Sequence, residues 1–350
     1  MSDTITLTRP DDWHVHFRDG TALSTTVPCH AKRFGRVVAM PNLTPPLTTV
    51  QEALAYRQRL LALAPEHQYP HFNPLMTLYL TDNTPLEELE RAAAAKSILG
   101  VKLYPAGATT NSDAGVTQIG NIMPQLRAMA ELQLPLLVHA EVTDPHIDIF
   151  DREAVFLESI IKPLLHELPD LKLTIEHITT AEMADFVAEA GANVAATLTP
   201  QHLLYSRNAL FQGGVRPHLY CLPVLKRERH RRRLIELVMT GCPRLFLGSD
   251  SAPHAQQRKE SSCGCAGIFS GAAAIEIYAQ IFANLGILSQ LEGFASRYGA
   301  DFYQLPPNTD TLTLCRDPWS MPPHLPYEAG QIVPLLAGER IEWRLSSTPH

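Results

Sequence analysis

Two hydrophobic periods alternate along the chain. Short apolar, β-branched runs end in a polar residue, and after most of them comes a stretch with apolar positions three and four apart. Strands are predicted over 12–17, 36–40, 73–80, 99–103, 136–139, 172–177, 193–197 and 245–248. Helices are predicted over 49–64, 85–96, 121–132, 151–168, 181–190 and 226–239, with 270–285 and 289–298 following the last strand. Two helix starts carry capping chemistry: Thr84-Pro85 ahead of Glu87 and Glu88, and Thr180 ahead of Glu182.

Strand–helix units built on eight strands predict an α/β fold, a (β/α)8 TIM barrel. A doubly wound open sheet is the structural alternative; the lack of a Gly-x-Gly-x-x-Gly run after the first strand counts against it. From about residue 305 to 350 the sequence is Pro-rich and loses its period. That stretch is expected to be a C-terminal extension packed on the barrel, making residues 1–350 one domain.

Hydrophobic residues make up 45% of the 350 positions, enough for a sizeable core. A net charge of −7 argues against a nucleic-acid or anionic-membrane partner but leaves room for a local cationic pocket. No secretory leader pattern opens the chain and no apolar run reaches the ~18 residues of a membrane span. The six cysteines are therefore expected to be free thiols of a cytoplasmic protein. Cys263-Gly264-Cys265 is a weak zinc pattern without a second pair.

Barrel chemistry sits at the C-terminal ends of the strands. Those ends hold His14 and His16, Lys102, His139, His177 and Asp250. His14 and His16 are two apart in a strand and share a face. Two such imidazoles are either satisfied core histidines or metal ligands; four strand-end histidines with an aspartate favour a metal centre. Lys102 is costly as an ammonium beside metal ions. As a neutral amine it can take up CO2, and the carbamate, N6-carboxylysine, is an anion with two oxygens able to bridge two cations. The plainer alternative is a lysine reaching for a substrate carboxylate.

The segments Asp12-Trp13-His14-Val15-His16-Phe17-Arg18, Met40-Pro41-Asn42-Leu43-Thr44, Gly100-Val101-Lys102-Leu103-Tyr104-Pro105 and Gly248-Ser249-Asp250-Ser251-Ala252-Pro253-His254, with Cys263-Gly264-Cys265-Ala266-Gly267, resemble the amidohydrolase superfamily and, within it, the shorter homodimeric class of dihydroorotases. The resemblance implies two Zn2+ ions per subunit. His14, His16 and Asp250 would hold one, His139 and His177 the other, with carboxylated Lys102 and a hydroxide between them. It implies a reversible ring closure of N-carbamoyl-L-aspartate to L-dihydroorotate in pyrimidine synthesis, with Asp250 as general acid and base. Arg18, Asn42 and His254 would clamp the substrate carboxylate, with backbone groups of Leu222 and Ala266 on the ring. His16 and His139 would also border the substrate, and Thr109 and Thr110 would reach it from a mobile loop over 105–115. A homodimer is implied. Two alternatives stay open: a related cyclic amidohydrolase of hydantoinase or allantoinase type, and a catalytically silent barrel scaffold. His202 and His218, in loops after the seventh strand, carry no assigned role.

Overall fold

The computed structural model describes residues 3–262 and 264–346. Eight parallel strands form one sheet in sequence order: Asp12–Val15, Arg36–Ala39, Asn73–Tyr79, Ile98–Leu103, Leu136–Val138, Leu173–Ile175, Val194–Leu198 and Leu245–Leu247. The sheet closes where the first strand meets the last. Asp250 N donates to His14 O at 3.0 Å, His16 N donates to Ser251 O at 3.0 Å, and Val15 bridges Ser251. The result is a (β/α)8 barrel whose seam is made of backbone from residues that the sequence marks as candidate metal ligands.

Helices follow the predicted pattern with trimmed ends, as Val50–Ala62 and Glu228–Met239 show. Thr49 caps the first of these in a reciprocal box with Glu52, which satisfies two otherwise orphaned N–H groups. Thr180 caps Ala181–Glu189 by accepting from Met183 N, as expected. Thr84 does not act as a cap: its hydroxyl accepts from Thr81 N and the helix Leu86–Ala94 starts from Pro85 without a side-chain bond. The stretch 151–168 is one helical rod in which a wider turn, Leu157–Ile161, interrupts the α-helix. Elements that were not expected include the helices Leu23–Ala31, Pro200–Leu204 and Gln256–Lys259 and the strand Thr4–Thr8.

The stretch beyond 305 is not irregular. Thr311–Cys315 pairs antiparallel with Thr4–Thr8 on one edge and Arg344–Leu345 on the other. A hairpin, Leu325–Tyr327 with Gly330–Ile332, brings Tyr327 beside the barrel mouth. These strands run two to five residues, too short to show a period of two.

Inside the barrel, height decides chemistry. Trp13, Val38, Leu75, Leu137, Ala195 and Phe246 form an apolar floor, stoppered by Ala300 and Tyr303. Trp13 lies 4.8 Å from the Tyr303 ring and 6.1 Å from Phe246. Above this floor the buried side chains turn polar: Thr77, Lys102, Glu176 and Thr197, then the histidines. A register shift between Asp12 and Val15 sets three steps of the first strand against two of the second. Such a bulge re-aims side chains, here leaving Trp13 in the floor and His14 in the polar layer above it.

Candidate metal centre and substrate pocket

Three electron-rich atoms converge at the barrel seam. His14 Nε2 lies 3.2 Å from His16 Nε2 and 3.3 Å from Asp250 Oδ1, and His16 Nε2 lies 3.2 Å from Asp250 Oδ1. The second ring nitrogen fixes the tautomer of His16. Asn42 Nδ2 donates to Thr110 O, so Asn42 Oδ1 faces His16 Nδ1 at 2.8 Å and accepts its proton. His14 Nδ1 sits 2.9 Å from Glu176 Oε1, at an angle too bent for a good hydrogen bond. The His16 Nε2 lone pair therefore points at the Asp250 oxygen. Without a cation this would be repulsive. With one, the spacing matches the edge of a tetrahedron whose bonds are about 2.0–2.1 Å, roughly 3.3 Å.

The second set is looser. His139 Nε2 donates to Glu141 Oε2 at 2.8 Å, leaving its Nδ1 for a ligand. The His139 and His177 rings are 4.8 Å apart, and His177 Nδ1 is buried with no hydrogen-bond partner. Lys102 Nζ is fully buried and is pressed against the Glu176 carboxylate, yet neither group is aligned for a hydrogen bond. Among the described residues His14, His16 and Asp250 form one group able to hold an ion, and His14, Glu176 and His177 another. The donor chemistry thus fits two metal positions, the first more completely than the second.

Electrostatics keep these ligands in their binding states. Burial lowers the pKa of His14 and His177 and takes His16 down to about 4, so all three are neutral near pH 7. Burial pushes the Asp250 carboxyl up, but the facing imidazoles, His14 foremost, outweigh it and hold the group ionised. Burial drives Lys102 well below the ordinary amine range, only partly opposed by Asp250. Three of the functional side chains hang from strained backbone: Arg18, His177 and Asp250 have φ of 63°, 44° and 42°. Left-handed conformations in non-glycine residues are costly and concentrate at sites that need them.

The candidate substrate residues also meet here. An inner cavity is bordered by His16, Arg18, Asn42, Thr109, Thr110, His139, Leu222 and Ala266, with only about 20 Å³ of open space. Above it a cavity of about 330 Å³ opens past Arg18, His254, Arg258 and Tyr327. Arg18 donates through Nε to Pro253 O and through Nη2 to His254 Nε2, and no carboxylate pairs with it among the described residues. Thr110 closes the inner cavity from above: its carbonyl accepts from Asn42 and its hydroxyl donates to Ala266 O at 3.3 Å.

Residues 8–314 match the Amidohydrolase family. A protein of Laribacter hongkongensis named dihydroorotase is 58% identical over 98% of this chain and 99% of its own. The chain belongs to the dihydroorotase family. Solved dihydroorotases superpose along nearly the whole molecule. That of Campylobacter jejuni matches with a TM-score of 0.89 and 35% identity, covering 99% of this chain and 98% of its own. That of Saccharomyces cerevisiae, in complex with 5-fluoroorotic acid, matches with 0.91 and 32%, covering 99% of both.

Several residues escaped sequence reasoning in this dihydroorotase relative. Glu176 and Glu141 stand behind His14 and His139, and Asp12 ties the seam by accepting from Ser249 N, Ser249 Oγ and His14 N. Only Glu176 had a visible mark, a charge inside the apolar run Leu173-Thr174-Ile175 before His177. His202 is buried, bonded to Thr199 Oγ1 and Pro223 O, and His218 pairs with Glu260, so neither reaches the inner cavity lining. Cys263 lies outside the described residues, and the Cys-x-Cys pair with it.

Proposed function

We propose that this chain catalyses the reversible cyclisation of N-carbamoyl-L-aspartate to L-dihydroorotate and water, the step that pyrimidine (UMP) synthesis needs. Membership of the dihydroorotases makes it a hydrolase acting on cyclic amides with a metal cofactor. The observation that carries the finer reading is the convergence of His14, His16 and Asp250 at 3.2–3.3 Å beneath a half-buried arginine that no carboxylate among the described residues neutralises.

His14, His16 and Asp250 would hold one zinc, His139 and His177 the second, and Lys102, as its carbamate, would join the two. Bound there, the ions would polarise the ring carbonyl and make water more acidic at neutral pH. Asp250 takes the proton of the attacking water and returns it to the ring nitrogen as the carbon–nitrogen bond breaks. In ring closure the same carboxylate moves the proton the other way. The Arg18 fork, held by Pro253 and His254, receives the α-carboxylate, and His254 and Asn42 add donors to it. Leu222 and Ala266 hold the ring by backbone groups; the Ala266 carbonyl already accepts from the Thr110 hydroxyl, so the contact falls to its N–H. One N–H of Asn42 Nδ2 goes to Thr110 O, which leaves the second for substrate.

A hydantoin or allantoin carries no carboxylate for Arg18, and a silent scaffold would have no use for six filled ligand positions. No helix among the described residues is long and apolar enough to cross a membrane. We further infer a cytoplasmic homodimer acting as one domain per chain, which sedimentation tests directly.

The decisive experiment incubates purified protein with L-dihydroorotate and follows loss of ring absorbance while metal is measured on the same sample. Ring closure consumes a proton, because two carboxylates become one. The equilibrium should therefore shift toward the ring about tenfold, ~1.4 kcal/mol, for each unit of falling pH. A ratio flat across the neutral range would refute the assignment.

A further inference from the structure

Lys259 closes the short helix Gln256–Lys259 and is buried, 4% exposed. Its ammonium meets no carboxylate among the described residues. It donates instead to three backbone carbonyls: Tyr220 at 2.7 Å, Cys265 at 2.8 Å and Gly267 at 2.6 Å. Three donors meet three acceptors, which suits an ammonium and not a neutral amine, since the amine has two N–H groups and a lone pair. The carbonyls belong to two separate loops. Tyr220 is two residues before Leu222, and Cys265 and Gly267 flank Ala266. A backbone bond from Gly267 N to Tyr220 O at 3.0 Å completes the junction. The helix that carries Lys259 follows directly on Pro253-His254, the pair that holds Arg18. One buried cation thus stands where all three parts of the ring-and-carboxylate cradle meet.

We propose that Lys259 is a positioning residue for substrate binding: its ammonium fixes the 220–223 and 265–267 loops so that the Leu222 and Ala266 backbone groups face the ring together. This rests on the dihydroorotase reading above. Such a residue acts on ground-state and transition-state binding alike, so its loss raises KM more than it lowers kcat. The groups around it agree. Burial takes Lys259 down to about 8, with the Cys221 and Cys265 thiols holding it up and the Arg18 guanidinium pressing it down; His254 and the Tyr220 ring also face it. Above that pH one of the three carbonyls loses its donor and the cradle loosens.

The test compares wild type with Lys259→Met, which keeps the length and removes the donors, using L-dihydroorotate with metal content and thermal stability read alongside. The expected result is a KM raised at least tenfold, kcat within threefold, and unchanged metal. In wild type, KM should climb above about pH 8 while kcat stays level, and Lys259→Met should lack that climb. A folded, metal-loaded Lys259→Met with wild-type KM overturns the proposal. If that variant does not fold, Lys259→Gln, which removes the charge and keeps two N–H donors, is read the same way, and a folded, metal-loaded Lys259→Gln with wild-type KM overturns the proposal. Wild type that turns over no dihydroorotate would instead sink the functional reading itself.

Discussion

The two halves of the metal centre are built differently. The His14–His16–Asp250 half lies on the barrel seam, where the backbone pairs His14 with Asp250 and His16 with Ser251. Its ligands are held by the bonds that close the fold, and their donor atoms sit at ligand spacing. The Lys102–His139–His177 half spans three neighbouring strands, and its members lean on side chains: Glu141 for His139, Glu176 for Lys102. The first half is complete in encoded side chains. On the function proposed above, the second would need a group that the genetic code does not supply, and its lysine meanwhile rests against a carboxylate. Order at a metal site can therefore come from backbone closure in one half and depend on chemistry after folding in the other.

Breaking the second half at its centre should have the largest effect. Lys102→Ala is expected to lower bound metal from two ions per chain to one and to cut turnover by about 10⁴-fold or more, since both the shared ligand and one of two cations are lost. Metal analysis beside steady-state rates checks this, and short carboxylic acids should restore part of the activity. Retention of two ions would point to Glu176 as the joining carboxylate, since it already groups with His14 and His177.

The mirror experiment strikes the first half. Asp250→Ala should slow both directions by about 10²–10⁴-fold, the usual cost of losing a general base. Because the remaining ligands are fixed by the seam, the first ion should bind more weakly but not vanish. A variant slowed in only one direction would remove Asp250 from the proton-transfer role.

A gentler probe separates encoded ligands from their supports. Glu141→Gln leaves a partner for His139 Nε2 but removes the charge. Supports of this kind typically tune metal affinity by about 10–100-fold. The loss should fall on the second ion alone, which competitive chelation at two metal loadings would resolve. Equal weakening of both ions would mean that the halves are not independent.

How much of this was legible depended on cost. A lysine or histidine ending an apolar run, as in Leu136-Leu137-Val138-His139, stands out because burying it is expensive. The eight strands stood out because β-branched runs with polar ends repeat at barrel spacing. Their ends were overrun, as at 172–177, because Glu176 and His177 share the composition of a strand while His177 turns left-handed. The helix Leu23–Ala31 was hidden by two threonines, a valine and Pro28, poor helix formers that burial overrides. Lys259 was invisible for the opposite reason: within Gln256-Gln257-Arg258-Lys259-Glu260 it reads as one more solvated charge. Residues that act by holding others leave no mark until the chain is folded around them.

The smallest expected effect concerns the loop above both halves, and it sharpens their difference. The loop 105–115 follows on the Lys102 strand, and its hydrogen bonds run to Asn42 on the side of the first half. Thr110 O accepts from Asn42 Nδ2, Asn111 Nδ2 donates to Asn42 O, and Asn42 in turn holds the His16 ring. Thr110 Oγ1 reaches Ala266 O on the far side, while Thr109 N is bound to Ser112 Oγ within the loop. In this arrangement the inner cavity has about 20 Å³ of open space, and on the function proposed above the loop would lift for substrate to enter and settle again over it. On settling, the two threonine hydroxyls would become donors to the bound carboxylate or to the oxygen under attack, where water is excluded. Each neutral hydrogen bond contributes about 0.5–1.5 kcal/mol, so losing both costs on the order of tenfold in rate. Thr109→Ala with Thr110→Ala should therefore lower turnover about tenfold, with both ions retained and the melting temperature unchanged, because the Asn42–Thr110 link uses the backbone carbonyl and survives the substitution. Rates equal to wild type would reduce 105–115 to a surface loop. Loss of the first ion would instead show that the loop supports His16 through its side chains.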